Sequence, residues 1–425
     1  MTATTRLTGS ARAASDAVDV AALVDDLAAI VRIPSVTGSE EAVAEDLAQR
    51  LAGTGMAVEL LRPDPVSIRS DPAWPGEETS RSSLPVIIGR LGRPGGRRLV
   101  LSGHTDVVPP GDPGTWTSDP WSAEVRHGRL FGRGACDMKG GVAAIIGAVR
   151  AIERSGVAQR LDGELVVALV PGEEDGGQGT LAAIRAGATG DMAIIPEPSN
   201  LDIVVAHAGA ITFRLIVPGR AAHASQRREG VSALDKLAVI LRALEDDEMR
   251  RNASETDPLM TAIGLPYPTI VGKVSGGEWA STVLDRLVAE GRYGVRLAQS
   301  PSDAATDLRA AIAQANASDP FLRDHPATVE IVGGQFGSGR VASDHELPVG
   351  LAAVTEAITG KRPALLGEPY GADMRLFINE GATPCVIFGP GDVKVAHSAD
   401  ENVPLAEVEA CARVLTAWVV QELGA

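Results

Sequence analysis

Five short segments of this 425-residue chain carry side chains that ligate metals or move protons. In SGHTDVVP (102–109), His104 and Asp106 follow an apolar run. In extended chain, positions i and i+2 share a face. An imidazole can bind a cation through one ring nitrogen while a carboxylate holds the other ring N–H. The same spacing also suits a solvated His–Asp pair. In GRGACDMKGG (132–141), Asp137 sits between glycines before a helical pattern. It suits a carboxylate bridging two cations, or an ordinary helix N-cap. PGEEDGGQGT (171–180) places Glu173 and Glu174 together at a strand end, as a ligand and a general base or as a solvated acidic loop. In IIPEPSN (194–200), Glu197 lies between two prolines that stiffen the backbone, which suits a fixed ligand or a strand-ending turn. In VAHSADENVP (395–404), His397 precedes the last helix, and by itself such a histidine is surface decoration.

Together these segments say more than each alone. In an open α/β sheet, strand ends of this kind converge on one crevice. Two histidines and three carboxylates form a mixed N/O ligand set that suits zinc, with cobalt or manganese as alternatives. Two metals sharing a carboxylate and a water make a hydrolytic site. Competing motifs fail: there is no GxSxG elbow, no P-loop and no HExxH. A lone GxGxxA in GSGRVA (337–342) does not follow a convincing strand of a βαβ unit.

The elements that must position these residues follow from periodicity. A helix of period near 3.6 opens the fold through Val18, Leu23, Leu27, Ile30 and Val31. Continuous apolar runs at 84–91, 97–103, 163–170 and 191–197 read as strands buried on both faces. Helical patterns at 141–153 and 181–186 alternate with them. The fold class is therefore α/β, with a mostly parallel sheet and helices on both faces. From Ile211 a separate order of β, α, β, β, α, β begins. Its helices fall near 231–246 and 302–315, and its strands include 269–274, 287–296 and 327–332. That order predicts an inserted two-layer α+β unit over 211–332. The main domain is then discontinuous, 18–210 and 333–425, closing with an amphipathic helix over 405–423. Residues 1–17 lack an apolar signal core and read as a disordered tail.

Composition narrows the partners. With 55 acidic and 39 basic residues the net charge is −16, which argues against nucleic acid and anionic membranes. The longest suitable apolar stretch, Val142 to Ile152, is cut by Arg150 and too short to span a bilayer. Three scattered cysteines, Cys136, Cys385 and Cys411, exclude a disulfide framework and fit a reducing cytoplasm.

From about residue 20 to 422 the chain resembles the co-catalytic zinc peptidases and deacylases. That family includes acetylornithine deacetylase, succinyl-diaminopimelate desuccinylase, aminoacylase and carboxypeptidase G. The combination of HTD, GRGACDMKGG, GEED, PEP and AHSADE carries the likeness. It implies that His104, Asp137 and Glu197 hold one zinc, and that Asp137, Glu174 and His397 hold the other. It further implies that Asp106 orients His104 and that Glu173 is the general base for a bridging hydroxide. The inserted domain becomes a lid and dimerisation surface. His223, in GRAAHAS, matches a lid histidine that reaches the neighbouring subunit's site in a homodimer. Arg296 and Arg375, the latter beside the Gly-rich segment at Gly371, become candidates for gripping a substrate carboxylate, or for structural ion pairs. Glu197 stands where many peptidases carry Asp and many acylases Glu, which leans toward N-acyl amino acids over dipeptidase or carboxypeptidase substrates. The segment GGEWASTVLDR (276–286) departs from the family's Asn-x-x-Pro pattern, so the lid's substrate contact differs.

Overall fold

A computed structural model describes residues 7–424. Its main sheet has nine strands. They run in the order β1 (Ala57–Leu61), β2 (Val86–Gly92), β6 (Gly163–Val170), β3 (Arg97–His104), β7 (Met192–Ile195), β15 (Cys385–Ile387), β8 (Ile203–His207) and β13 (Gly339–Arg340). Strand β14 (Leu365–Glu368) pairs with β8. The four central strands, β6, β3, β7 and β15, are mutually parallel. Their residues are buried almost without exception, so the apolar runs are continuous rather than alternating. Parallel pairing puts the carboxyl ends of all four on one edge, and His104 stands level with Val170 there.

The helix Gly140–Arg154 packs on this sheet, and Gly103 in β3 lets it approach: a Cβ there would meet Met138 and Val142 at 3.0–3.1 Å. Gly141 brings the helix start against the strand end that carries Glu197, since a Cβ would lie 2.0 Å from the Pro196 carbonyl. The closing helix Leu405–Glu422 packs against Gly140–Arg154.

The tail expectation is corrected for part of its length. Thr8 caps a helix over Gly9–Asp16, and Ala11, Ala14 and Ser15 are buried in its contact with the closing helix. Small alanines give a weak periodic signal, and the burial that orders them comes from chain some 400 residues away. Residues 1–6 lie outside the described residues. Among the described residues no helix is long and apolar enough to cross a membrane.

A second antiparallel sheet runs β10 (Thr269–Gly276), β11 (Arg286–Val295), β9 (Gly209–Pro218) and β12 (Thr328–Phe336). Two long helices, Ala233–Ala253 and Pro301–Ser318, cover one face and share a separate core with Phe213, Leu215, Leu287 and Tyr293. Strand β9 alternates buried and half-buried residues along its length. The period-two pattern thus leaves Thr212, Arg214, Glu290 and Arg292 on the face away from those helices. A small third sheet, β16 (Asn402–Pro404), β5 (Arg129–Phe131) and β4 (Glu124–Arg126), ties the segment after His397 to the loop before Asp137.

Candidate metal centre

Each motif meets the others at the carboxyl edge of the parallel strands. His104 ends β3, Glu173 and Glu174 follow β6, and Glu197 follows β7. His104 Nε2 lies 3.0 Å from Asp137 Oδ1 and 3.4 Å from Glu197 Oε1. His397 Nε2 lies 3.4 Å from Asp137 Oδ2 and 3.2 Å from Glu174 Oε1. The two oxygens of Asp137 thus face two different imidazoles. Ligand atoms of His104, Asp137 and Glu174 fall within 4.8 Å of one another. Asp137 is held in place from behind. The buried Glu401 carboxylate accepts the amide N–H groups of Cys136 and Asp137, each at 3.0 Å, and takes Arg133 at 2.5 Å.

Electrostatics at the cluster favour a cation. Among the described residues, no lysine or arginine lies within ion-pair distance of Asp137, Glu174 or Glu197; imidazoles are their only charged partners. Burial, with Asp137 alongside, pushes the Glu174 carboxyl up to about 7. Burial likewise raises Glu197 to about 8. Contacts with Asp137 and Glu174 raise His397 to about 11. Burial opposes charge on His104, yet the carboxylates of Glu197 and Asp137 hold its pKa well above the ordinary histidine range. Protons are thus retained where carboxylates crowd, and divalent cations would displace them. The donor set of two nitrogens and three carboxylates fits such ions.

Residues 100–421 match the family described as peptidase family M20/M25/M40. The chain belongs to this family. It is a metal-dependent hydrolase. A succinyl-diaminopimelate desuccinylase of Gluconacetobacter diazotrophicus is 32% identical over 407 residues, covering 93% of this chain and 95% of the relative. An M20 family metallo-carboxypeptidase from Sulfolobus solfataricus shares the fold, with a TM-score of 0.74 at 16% identity over 94% of this chain and 99% of that one. Human carnosine dipeptidase 1 does so with a TM-score of 0.73 at 16% identity over 99% and 100%.

In this M20 hydrolase the ligand cluster opens into a cavity of about 590 Å³ that Glu173, Tyr370 and Gly371 also line. Glu173 has a carboxyl that makes no hydrogen bond to any described residue, and burial, then Asp373, raises its pKa well above normal. Gly371 admits the Phe336 side chain, which a Cβ would meet at 2.4 Å.

Asp106 meets His104 chiefly through its main chain. Its main-chain carbonyl meets His104 Nδ1 at 2.9 Å, while its carboxylate stands 3.7 Å from that atom. The carboxylate instead accepts the amides of Glu173 at 3.1 Å and Glu174 at 3.2 Å, and the Thr37 hydroxyl at 3.0 Å. It therefore shapes the Glu173–Glu174 turn.

The structure places both arginines in ion pairs outside the cavity lining, Arg375 3.8 Å from Asp373 and Arg296 4.0 Å from Asp307. Arg375 is buried and donates to the carbonyls of Ala372 and Gly176 at 3.0 and 2.7 Å, so it braces the loops beneath the cavity. Arg296 lies past the end of β11, near Ser254 and Asp307, away from the cavity lining. His223 is exposed on a lid loop, bonded to Ser225, and lies outside the cavity of its own chain.

Several contributors escaped the sequence reading. Arg292, Lys273 and Glu78 line the cavity. Arg81 is sealed between Glu40 at 3.0 Å and Asp175 at 2.9 Å, and packs on Gly172 just before Glu173. Strand parity marks Arg292 as a polar-face residue, but no local signal says which polar face lines the cleft. Arg81 lies in a polar stretch that reads as loop.

Proposed function

We propose that this M20 hydrolase removes the acyl group from N-acyl-L-amino acids, of the N-succinyl or N-acetyl type, using two divalent cations, zinc or cobalt. His104, Asp137 and Glu197 would hold one ion, and Asp137, Glu174 and His397 the other. When bound, the ions supply Lewis-acid activation of the scissile carbonyl and bring a water's pKa near neutrality. Glu173 accepts the proton of the attacking water and returns it to the leaving amine. Asp106 holds the amides of Glu173 and Glu174, so base and ligand keep a fixed relation. The Glu401–Arg133 pair fixes Asp137 between the imidazoles.

The observation that carries this reading is the division of Asp137's two oxygens between His104 and His397, beside a Glu173 carboxyl with no hydrogen-bond partner. Glu197 and the 32% identical desuccinylase support an acyl amino acid over a peptide. We assign the 211–332 insertion as lid and homodimer surface, with His223 of one copy serving the oxyanion of the other. Three free, buried cysteines fit a cytoplasmic protein.

The test is amine release by zinc- or cobalt-loaded protein from N-succinyl, N-acetyl and dipeptide substrates, with a chelated control. Chelator-sensitive release mainly from the N-acyl compounds is expected; release from dipeptides alone overturns the reading. Glu173→Gln is expected to lose about 10²–10⁴-fold in kcat while metal analysis still finds two ions.

A further inference from the structure

Tyr370 stands on the wall of the cavity that the main domain contributes, beside the ligand cluster. The side chain is half-buried, and its hydroxyl makes no hydrogen bond to any described residue. Nor is that oxygen among the side-chain atoms sealed in the core without a partner, so it opens to the cavity. Burial, then the charges of Glu368, Glu197, Asp137 and Glu173, hold its pKa well above the ordinary phenol range. The phenol therefore lies within electrostatic reach of Asp137, of the ligand Glu197 and of the proposed base. All of these carboxylates are acceptors when ionised, and the hydroxyl is a donor among them. On the same wall the other side-chain donor is His397, which is committed as a ligand. Lys273 and Arg292 belong to lid strands, and the Thr212 hydroxyl is bonded to Glu78 at 3.3 Å.

The backbone holds Tyr370 rigidly from both sides. Before it, Glu368 pairs with His207 between β14 and β8, and its carbonyl accepts the Ala208 amide at 2.8 Å. Pro369, with its locked φ, links that strand to Tyr370. After it, Gly371 lies so close to Phe336 that a Cβ would meet that side chain at 2.4 Å. A donor fixed in this way costs little reorganisation when charge develops near it.

We infer that the Tyr370 hydroxyl is an oxyanion donor supplied by the same chain that supplies the metal ligands. As water adds to the scissile carbonyl, the new C–O bond forms and the C=O π pair moves onto the oxygen. The water's proton goes to Glu173 and then to the leaving amine. Tyr370 keeps its own proton and donates a hydrogen bond to the charged oxygen. This rests on the amide-hydrolysis reading above and applies to an N-acyl amide and a peptide alike.

Tyr370→Phe removes the hydroxyl and keeps the ring, so thermal midpoint and metal content should match the wild type. On whichever of the N-succinyl, N-acetyl and dipeptide substrates turns over, kcat is expected to fall about 10²-fold with KM little changed. Calorimetry gives a second readout without turnover. The variant should bind a phosphinate analogue of that amide about 10²-fold more weakly, because the analogue carries the tetrahedral oxyanion. On a Glu173→Gln background, which preserves the intact amide, Tyr370→Phe should leave the Kd of the substrate unchanged. Equal losses on phosphinate and substrate, or no loss on either, overturn the assignment. So does a kcat deficit that vanishes on the S-acyl thiol analogue, whose leaving group needs no proton, since that marks a donor to the amine. Turnover of dipeptides alone, with the phosphinate discrimination intact, refutes the deacylase and keeps the Tyr370 role. Deacylation with no discrimination keeps the deacylase and refutes Tyr370. Failure of the wild type to bind any phosphinate or cleave any amide refutes both.

Discussion

Replacing Arg81 by methionine removes the cation from a sealed site. The Arg81 side chain is 0% exposed, and the carboxylates that flank it, Glu40 and Asp175, are 1% and 4% exposed. Water cannot take over the lost contacts. Removing one partner of a buried pair costs about 3–5 kcal/mol, because the remaining charge stays buried without compensation. Here two carboxylates remain. Burial and Asp106 already hold Glu40 at about 7 with the arginine present, so proton uptake relieves part of the repulsion. We therefore expect a loss of about 4 kcal/mol at pH 8, which a urea slope of about 2–3 kcal/mol/M turns into a midpoint shift of about 1–2 M. The sign with pH follows. In the variant, both carboxyls have folded-state pKa values above their unfolded ones. The folded state then binds more protons, and stability falls as pH rises from the unfolded carboxyl range through the raised values. The deficit should be smaller at pH 5 than at pH 8. Because Arg81 packs on Gly172, next to the proposed base, kcat should fall as well. The triple variant Glu40→Gln, Arg81→Met, Asp175→Asn removes every charge and should recover most of the stability. Urea midpoints at pH 5 and pH 8 for the three proteins decide the matter. An Arg81→Met protein within 1 kcal/mol of wild type, or a deficit that grows as pH falls, would refute the reasoning.

Three further outcomes follow from the packing. Burial holds His207 at about 4, so the native state keeps it neutral while the unfolded chain protonates below about 6.5; stability should fall by about 3 kcal/mol between pH 6.5 and 4, and His207→Leu should flatten that limb of a pH series of urea midpoints. An unchanged slope would show that His207 is not kept neutral by the fold. Gly141→Ala drives a Cβ into the Pro196 carbonyl and should cost about 1–3 kcal/mol, with weaker zinc binding because Glu197 follows Pro196; full metal affinity in a competition titration would count against that link. Chelation should lower the thermal midpoint, since the carboxylates of Asp137, Glu174 and Glu197 lose the cations that offset their repulsion, and added zinc should restore it; a midpoint indifferent to chelator speaks against a metal at this cluster.

Much of the candidate cluster was legible in the sequence because His104, Glu173, Glu174 and Glu197 each sit within a few residues of a strongly apolar run. Buried parallel strands announce themselves by such runs, and their carboxyl ends share one edge, so His104, Glu173, Glu174 and Glu197 had to be neighbours once the strands were parallel. The separate lid was legible for a similar reason: its alternating strand β9 and its strand–helix order differ from the continuous runs around it. Residues whose roles depend on non-local contacts were not legible. Asp106 looks like a partner for His104 two residues away, yet its carboxylate satisfies amides 67 and 68 positions on. Arg296 and Arg375 carry the same fork as Arg292, and only packing decides that Arg375 is spent on loop carbonyls while Arg292 remains free in the cavity. Arg81 and the Gly9–Asp16 helix owe their burial to chain far away in sequence. Spacing along the chain determines which groups share a strand end or a face. Which charges then find partners, and which stay open to a ligand, depends on distances that the tertiary structure alone sets.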